Sequence, residues 1–92
     1  MNEKSDFSAA ADRMAELYSQ SFGGKKSGRY RIAVKLVRQL AGRRRLYEDD
    51  VTVLKRELAE RGYVLVDMDS FFVVMAANTF LNYRRANESC VS

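Results

Sequence analysis

The sequence changes character within residues 58–75, LAERGYVLVDMDSFFVVM. Up to Gly62 the apolar residues are spaced as on a helix. Beyond it, Tyr63–Asp67 and Phe71–Met75 are dense in β-branched and aromatic residues, which favour strands. Residues 67–70, between these two runs, have the composition of a tight turn. The change at Gly62 therefore predicts a β-hairpin that follows a helix.

A first helix is predicted from Phe7 to Ser21, with Ser5 or Asp6 as its N-cap and Gly23–Gly24 at its end. Its apolar residues recur at three- and four-residue steps, which places them on one stripe. The stripe consists of Phe7, Ala10, Ala11, Met14, Leu17, Tyr18 and Phe22.

Two further helices are predicted before the hairpin. The second runs from Arg29 to Ala41, with Gly42 in the C-capping position. The third runs from Asp49 to Gly62, with Val51, Leu54 and Leu58 facing the core. A last helix is predicted after the hairpin, from Phe80 to Glu88. The expected fold class is α+β, a three-helix core with a two-stranded hairpin and a C-terminal helix.

Ninety-two residues predict a single domain, 1–92. Within it, residues 1–22 are expected to be either a loosely attached helix or a contact for a homodimer. Residues 23–28 are expected to be a flexible loop, and residues 29–88 the main fold.

The composition argues against an enzyme. The chain has no histidine and a single cysteine, Cys90, so the commonest general base and a set of zinc ligands are both missing. No phosphate-binding glycine loop is present. The acid pairs Asp49–Asp50 and Asp67/Asp69 stand where a helix cap and a turn are expected. We therefore predict a non-enzymatic protein without cofactor or metal.

Targeting and redox features predict a cytoplasmic protein. The N-terminal residues, MNEKSDFSAAADR, contain acids and no apolar run of the kind found in secretory signals. No apolar run approaches the length of about 20 residues needed to span a membrane. The lone Cys90 has no intrachain partner, which fits a reducing compartment.

Positive charge is concentrated in Lys25–Arg45, which we call the basic segment. It carries nine basic residues and no acid, whereas the rest of the chain has seven basic residues and twelve acids. The nine are Lys25, Lys26, Arg29, Arg31, Lys35, Arg38, Arg43, Arg44 and Arg45. Segregation of this kind is typical of proteins that bind a polyanion.

On the predicted second helix, Arg31, Lys35 and Arg38 fall on one face. Arg43–Arg45 follows directly after the helix. The sequence thus predicts a basic ridge that tracks the phosphates of a nucleic-acid backbone. Arg45 is placed to pair with Asp49 or Asp50, and Arg61 with Asp67.

The residues Leu58-Ala-Glu-Arg-Gly62-Tyr-Val-Leu-Val, followed by a turn and Phe71-Phe-Val-Val, resemble the last helix and wing of winged-helix DNA-binding domains. The resemblance implies three helices before the hairpin, with the third in the major groove and the wing on the backbone. This third helix and wing tip are acidic, however, at Glu48, Asp49, Asp50, Glu57, Glu60, Asp67 and Asp69. Contact through the second helix and Arg43–Arg45 is expected instead.

A second resemblance lies in Asn78-Thr-Phe-Leu-Asn82-Tyr-Arg-Arg85, which is similar to the recognition helix of helix-turn-helix proteins. It implies that Asn82, Arg84 and Arg85 contact base edges, which asparagine and arginine match with forked hydrogen-bonding groups. Tyr30, Phe71, Phe72 and Phe80 are expected in the core rather than as stacking platforms for single strands.

The predicted function is sequence-influenced binding of duplex DNA, as in a transcriptional regulator. The main alternative is a protein-interaction module, an adaptor or anti-repressor whose basic face docks an acidic partner. Binding to an anionic membrane is the third alternative, and it is disfavoured because the basic helix lacks large aromatic residues beside its polar face.

Overall fold

The computed structural model describes the backbone of residues 3–92 and the side chains from Phe7 onward. Its helices lie on one face of a three-stranded antiparallel sheet. The predicted α+β class is confirmed. The predicted two-stranded hairpin is incomplete, because a third strand joins it.

Helix α1 spans Glu3–Tyr18 and therefore begins and ends before the predicted bounds. Ser5 and Asp6 lie inside the helix rather than at its cap. Its stripe is buried at Phe7, Ala10, Ala11 and Met14, so the spacing of the apolar residues predicted the buried face correctly. Because these apolar side chains are buried within their own chain, they do not need a second copy of the protein to shield them from water.

The chain after α1 turns back through a two-residue hairpin rather than extending the helix. The N–H of Phe22 donates to the carbonyl of Lys25 at 3.0 Å, and the N–H of Lys25 donates back to Phe22 at 3.0 Å. Gly23 and Gly24 have φ values of 59° and 81°, a left-handed conformation that glycine adopts at little cost. Phe22, predicted on the helical stripe, is exposed in this hairpin.

The predicted second helix is wrong over its first turn. Tyr30–Ala33 forms strand β1, and helix α2 covers only Val34–Ala41. Tyr30 and Ile32 are buried while their neighbours are exposed, the period-two pattern of a strand. The predicted end of α2 is confirmed, because Gly42 has a φ of 66° and its N–H bonds to the last carbonyls of the helix.

Helix α3 spans Glu48–Glu60, close to the predicted bounds. Its first turn is fixed by the N–H of Tyr47, which donates to the Asp50 carboxylate at 2.9 Å. Leu54 and Leu58 are fully buried, as their spacing predicted. Gly62 ends the helical region with a φ of 89°.

The predicted hairpin is confirmed as strands β2, Tyr63–Asp67, and β3, Phe71–Ala76. Its turn is closed by the N–H of Asp69, which donates to the Asp67 carboxylate at 2.9 Å. Strand β3 is central and pairs with both neighbours, in the order β1-β3-β2.

The core lies between the helices and the inner face of this sheet. Helices α1, α2 and α3 each contribute buried residues to it, and so does every strand. Its members are Phe7, Ala10, Ala11, Met14, Tyr30, Ile32, Val37, Ala41, Leu54, Leu58, Leu65, Phe72 and Val74.

The predicted C-terminal helix is wrong. A 3-10 helix spans Ala77–Asn82, the chain is then irregular, and a second short 3-10 helix spans Glu88–Cys90. All residues from 81 to 92 are exposed. A short α-helix needs an apolar face packed against the protein, and this segment has none.

Candidate nucleic-acid interface

The basic segment extends over four consecutive parts of the fold: the 23–28 loop, β1, α2 and the loop after α2. Seven of its nine basic side chains are exposed, while Arg38 and Arg43 are half-buried. Apart from Arg43, none of the nine is paired with an acid of the described chain. Most of this positive charge therefore faces solvent instead of being neutralised internally.

Four of the nine basic residues line one open depression of about 460 Å³, which we call the basic groove. Lys35 and Arg38 are three residues apart on α2, so both project from the same side of the helix. The groove is lined by Lys35, Arg38, Gln39, Gly42, Arg43 and Arg44. The sequence predicted its four cations. The sequence prediction did not include Gln39 and Gly42, although they are four and seven residues after Lys35 and therefore lie on the same side of the helix.

Arg43 connects the basic groove to the core. Its guanidinium carbon lies 4.7 Å from the centroid of the Phe7 ring on α1. A cation at this distance over an aromatic face is attracted by the ring. This contact positions the loop after α2 against the first helix.

Arg31 does not belong to the basic groove, and the predicted ridge of Arg31, Lys35 and Arg38 is wrong. Because Arg31 is on β1, its side chain leaves the sheet on the exposed face. Its guanidinium carbon lies 5.7 Å from the centroid of the Phe71 ring. On a helix Arg31 would share a face with Lys35, but Arg31 belongs to a strand, whose side chains alternate between the two faces of the sheet.

A second depression, of about 390 Å³, lies between the Phe22–Lys25 hairpin and β1. Lys25, Arg29 and Arg31 contribute its positive charge. The remaining two residues of the basic segment, Lys26 and Arg45, are exposed. Arg45 pairs with neither Asp49 nor Asp50 in the described chain.

Asn82, Arg84 and Arg85 are not on a recognition helix. Asn82 is the last residue of the 3-10 helix, and the two arginines lie in the irregular segment after it. The structure does not bring these three residues onto a common helical face. All three are exposed.

The surface between α3 and the turn of the hairpin is acidic. A depression of about 510 Å³ there is lined by three acids, Glu48, Asp67 and Asp69, and by one basic residue, Lys55. We call it the acidic groove. A phosphate would be repelled there at neutral pH. Three of the seven acids that depart from the winged-helix pattern in sequence are thus gathered in space.

Comparisons of the chain with protein-family models, with curated proteins and with solved structures find no match. Geometry and charge are therefore the grounds for a functional proposal. Among residues 7–92 no three acidic or cysteine side chains converge as metal ligands. None of the described helices is long and apolar enough to cross a membrane.

Arg61 has a structural role rather than the predicted pairing with Asp67. Its Nε donates to Asp12 at 2.7 Å, and its Nη1 donates to the carboxylate of Glu57 at 3.0 Å. Its Nη2 donates to the Ser8 hydroxyl at 2.9 Å. The hydrogen bond to Asp12 is the main cause that raises the pKa of Arg61 above its ordinary value. This network joins α1 to α3 and lies outside the basic groove.

Of the four aromatic residues predicted in the core, Tyr30 and Phe72 are there, whereas Phe71 and Phe80 are half-buried and lie outside it. Phe72 is fully buried, and the Tyr30 hydroxyl donates to the Met14 carbonyl at 2.6 Å. Burial raises the pKa of Tyr30 well above its ordinary value. Phe80 is half-buried and contacts Tyr83 edge-on, with ring centroids 5.2 Å apart. None of these rings lines the basic groove.

Proposed function

We propose that this protein binds the backbone of duplex DNA through the basic groove and acts as a small transcriptional regulator. The observation that carries the proposal is the convergence of Lys35, Arg38, Arg43 and Arg44 on one open groove, whose described lining residues include no acid. Arginine and lysine are the side chains that bind phosphates in protein–DNA interfaces. Lys25, Lys26, Arg29 and Arg45 extend the same charge along the chain.

The order of elements supports a winged-helix arrangement. Three helices precede the hairpin β2–β3, as in winged-helix domains. The acidic groove lies between α3 and the hairpin turn, which correspond to the two elements that winged-helix domains place on DNA. We therefore propose that this chain contacts DNA on the α2 side and leaves the α3 side away from the phosphates.

The chemistry of the basic groove favours a duplex over a single strand. Proteins that bind single strands stack bases on aromatic side chains. Among the described residues, those that line the basic groove are Lys, Arg, Gln and Gly, which offer charge and hydrogen-bond donors but no aromatic ring for stacking. Contacts of this kind go to phosphates and carry little sequence information. We assign any sequence preference to Asn82, Arg84 and Arg85, because they are exposed and their side chains match the hydrogen-bonding groups of base edges.

The test is a set of fluorescence titrations of random-sequence duplex DNA, duplex RNA and single strands over a range of salt concentrations. The variant replaces Lys35, Arg38 and Arg44 together with glutamine. Each lost phosphate contact reduces the slope of log affinity against log salt by about 0.9. The triple variant should therefore bind every duplex more weakly, with a slope shallower by up to about three units.

The matched control replaces Lys55 and Arg56, two exposed cations of α3, with glutamine. This variant should keep the affinity and the salt slope of the wild type. Equal DNA binding by the triple variant and the wild type would contradict the proposal. Tight binding of an acidic protein with a shallow salt slope, in place of DNA, would support the interaction module. A separate change of Asn82 or Arg85 should reduce discrimination between sequences more than overall affinity.

A further inference from the structure

The sheet carries apolar side chains on the face turned away from the helices, which we call the outer sheet face. An antiparallel sheet with one solvated face normally alternates apolar and polar residues along each strand. The hairpin strands of this protein are apolar on both sides, as in sheets with both faces packed against other elements. The outer sheet face consists of Ala33, Val64, Val66, Phe71, Val73 and Met75, together with Arg31.

Strand pairing makes these side chains one continuous patch. Val73 on the central strand lies opposite Arg31 on one side and Val66 on the other. Met75 lies opposite Val64 in the same way. None of the five hairpin residues of the patch packs against the core of the described chain. Contiguous apolar surface of this kind marks interaction sites.

The charge at the border of the patch indicates what covers it. Arg31 is the only charged residue on the outer sheet face, and it is exposed. No acid of the described chain pairs with its guanidinium, which rests over the ring of Phe71. Arg29 precedes it at the same edge of the sheet. A partner that fits must therefore combine an apolar surface with acidic side chains on one side.

We infer that the outer sheet face binds an amphipathic helix of a protein partner. The apolar stripe of that helix packs on Val66, Val73 and Met75, and its acidic side chains face Arg31. The dimensions agree, because three strands about 4.8 Å apart present a strip roughly as wide as a helix of about 10 Å diameter. This binding mode uses the sheet and not the basic groove, so it is independent of the proposed DNA contact.

A second copy of the chain is a poorer occupant. The face carries no acid, so a second copy placed face to face brings no partner for Arg31.

The experiment uses the full chain with isotope-labelled methyl groups and a synthetic amphipathic helix of about four turns. The probe peptide has a leucine stripe flanked on one side by glutamates. One control peptide has lysines in place of the glutamates, and the other has serines in place of the leucines. We expect the probe to shift the methyl signals of Val64, Val66, Val73 and Met75, and both controls to bind at least about tenfold more weakly.

The variant Val66→Thr/Val73→Thr keeps the branched shape that strands favour and removes apolar surface. It should weaken probe binding about tenfold while leaving DNA binding unchanged, and Arg31→Gln should reduce the preference for the acidic peptide. Three results would overturn the inference: no methyl shifts on the outer sheet face, shifts confined to the basic groove, or shifts that depend on protein concentration without peptide. Because the wild-type shifts are decisive, the inference stays testable even if the variant is unstable.

Discussion

Tyr30 is the residue at which strand β1 is attached to helix α1. Its ring is in the core, and its hydroxyl donates to the Met14 carbonyl at 2.6 Å. Burial disfavours the phenolate, so the pKa of Tyr30 in the folded protein is raised above its value in the unfolded chain. The stabilisation from this group is present below the unfolded pKa of about 10 and is lost as the pH rises above it.

The replacement Tyr30→Phe tests this contact. At neutral pH the variant should be less stable by about 1 kcal/mol, because a buried hydrogen bond is lost. Above about pH 10 the difference should shrink and then reverse, because only the wild type then gains a phenolate in its unfolded state. Urea unfolding of both proteins at the two pH values measures the effect. Tyr83→Phe, at an exposed ring, should change stability little at either pH.

Arg61 is the second residue whose surroundings make a sharp prediction. Its side chain is 22% exposed, and that of its partner Glu57 is only 5% exposed. Removal of the guanidinium leaves a buried carboxylate without a counter-ion. Arg61→Gln should therefore cost about 3 kcal/mol in the free energy of unfolding.

The double variant Arg61→Gln/Glu57→Gln is the control, since it removes both charges of the buried pair. Chemical denaturation should show that it recovers much of the loss. If it is instead as unstable as the sum of the two single variants, Arg61 and Glu57 are not coupled. The free energy of unfolding of Arg61→Lys should lie between those of the wild type and Arg61→Gln, because lysine keeps the charge but lacks the forked hydrogen-bond donors of arginine.

At the scale of elements, α1 contributes four of its described side chains to the core and is hydrogen-bonded to other parts of the chain. Phe7, Ala10, Ala11 and Met14 lie in the core, and the helix bonds to Arg61 and Tyr30. We expect a chain that lacks residues 1–24 to be unfolded by circular dichroism, because its core would be open on one side. The single change Met14→Ala should cost about 3 kcal/mol.

Light scattering on the full chain tests the homodimer that the sequence suggested for helix 1. Since the stripe of α1 is used inside its own chain, we expect a monomer. A dimer that dissociates when an exposed residue such as Ala9 is changed to glutamate would show that α1 has a second face for association. The change Ala59→Glu, on the exposed side of α3, is the matched control.

At the scale of the whole molecule, the two signs of charge are sorted onto different surfaces. The basic groove lies along α2 and the following loop, and the acidic groove lies between α3 and the hairpin turn. Such a molecule is oriented by the field of a polyanion before it makes contact. The outer sheet face is a third surface, apolar and positive only at Arg31, and it lies on neither groove.

Local pattern alone determined the hairpin, α3 and the end of α2. The bounds of β2 and β3 follow from β-branched and aromatic runs, and the ends of α2 and α3 follow from Gly42 and Gly62, whose positive φ ends each helical region. Four cations of the basic groove were also predictable, since Lys35 and Arg38 share a helix and Arg43 and Arg44 follow it directly. These features depend on neighbours within a few residues.

Tertiary structure decided the rest. The four residues Tyr30–Ala33 fit a helical or an alternating pattern equally, and pairing with the open edge of β3 makes them a strand. The same pairing removes Arg31 from the basic groove. The C-terminal segment has helix-capping residues, but no surface of the fold receives an apolar face from it, so no α-helix forms. Arg61 bonds to Asp12, 49 residues away in sequence, rather than to nearby Asp67. In each case the outcome depends on whether the folded chain brings distant groups into contact with the segment.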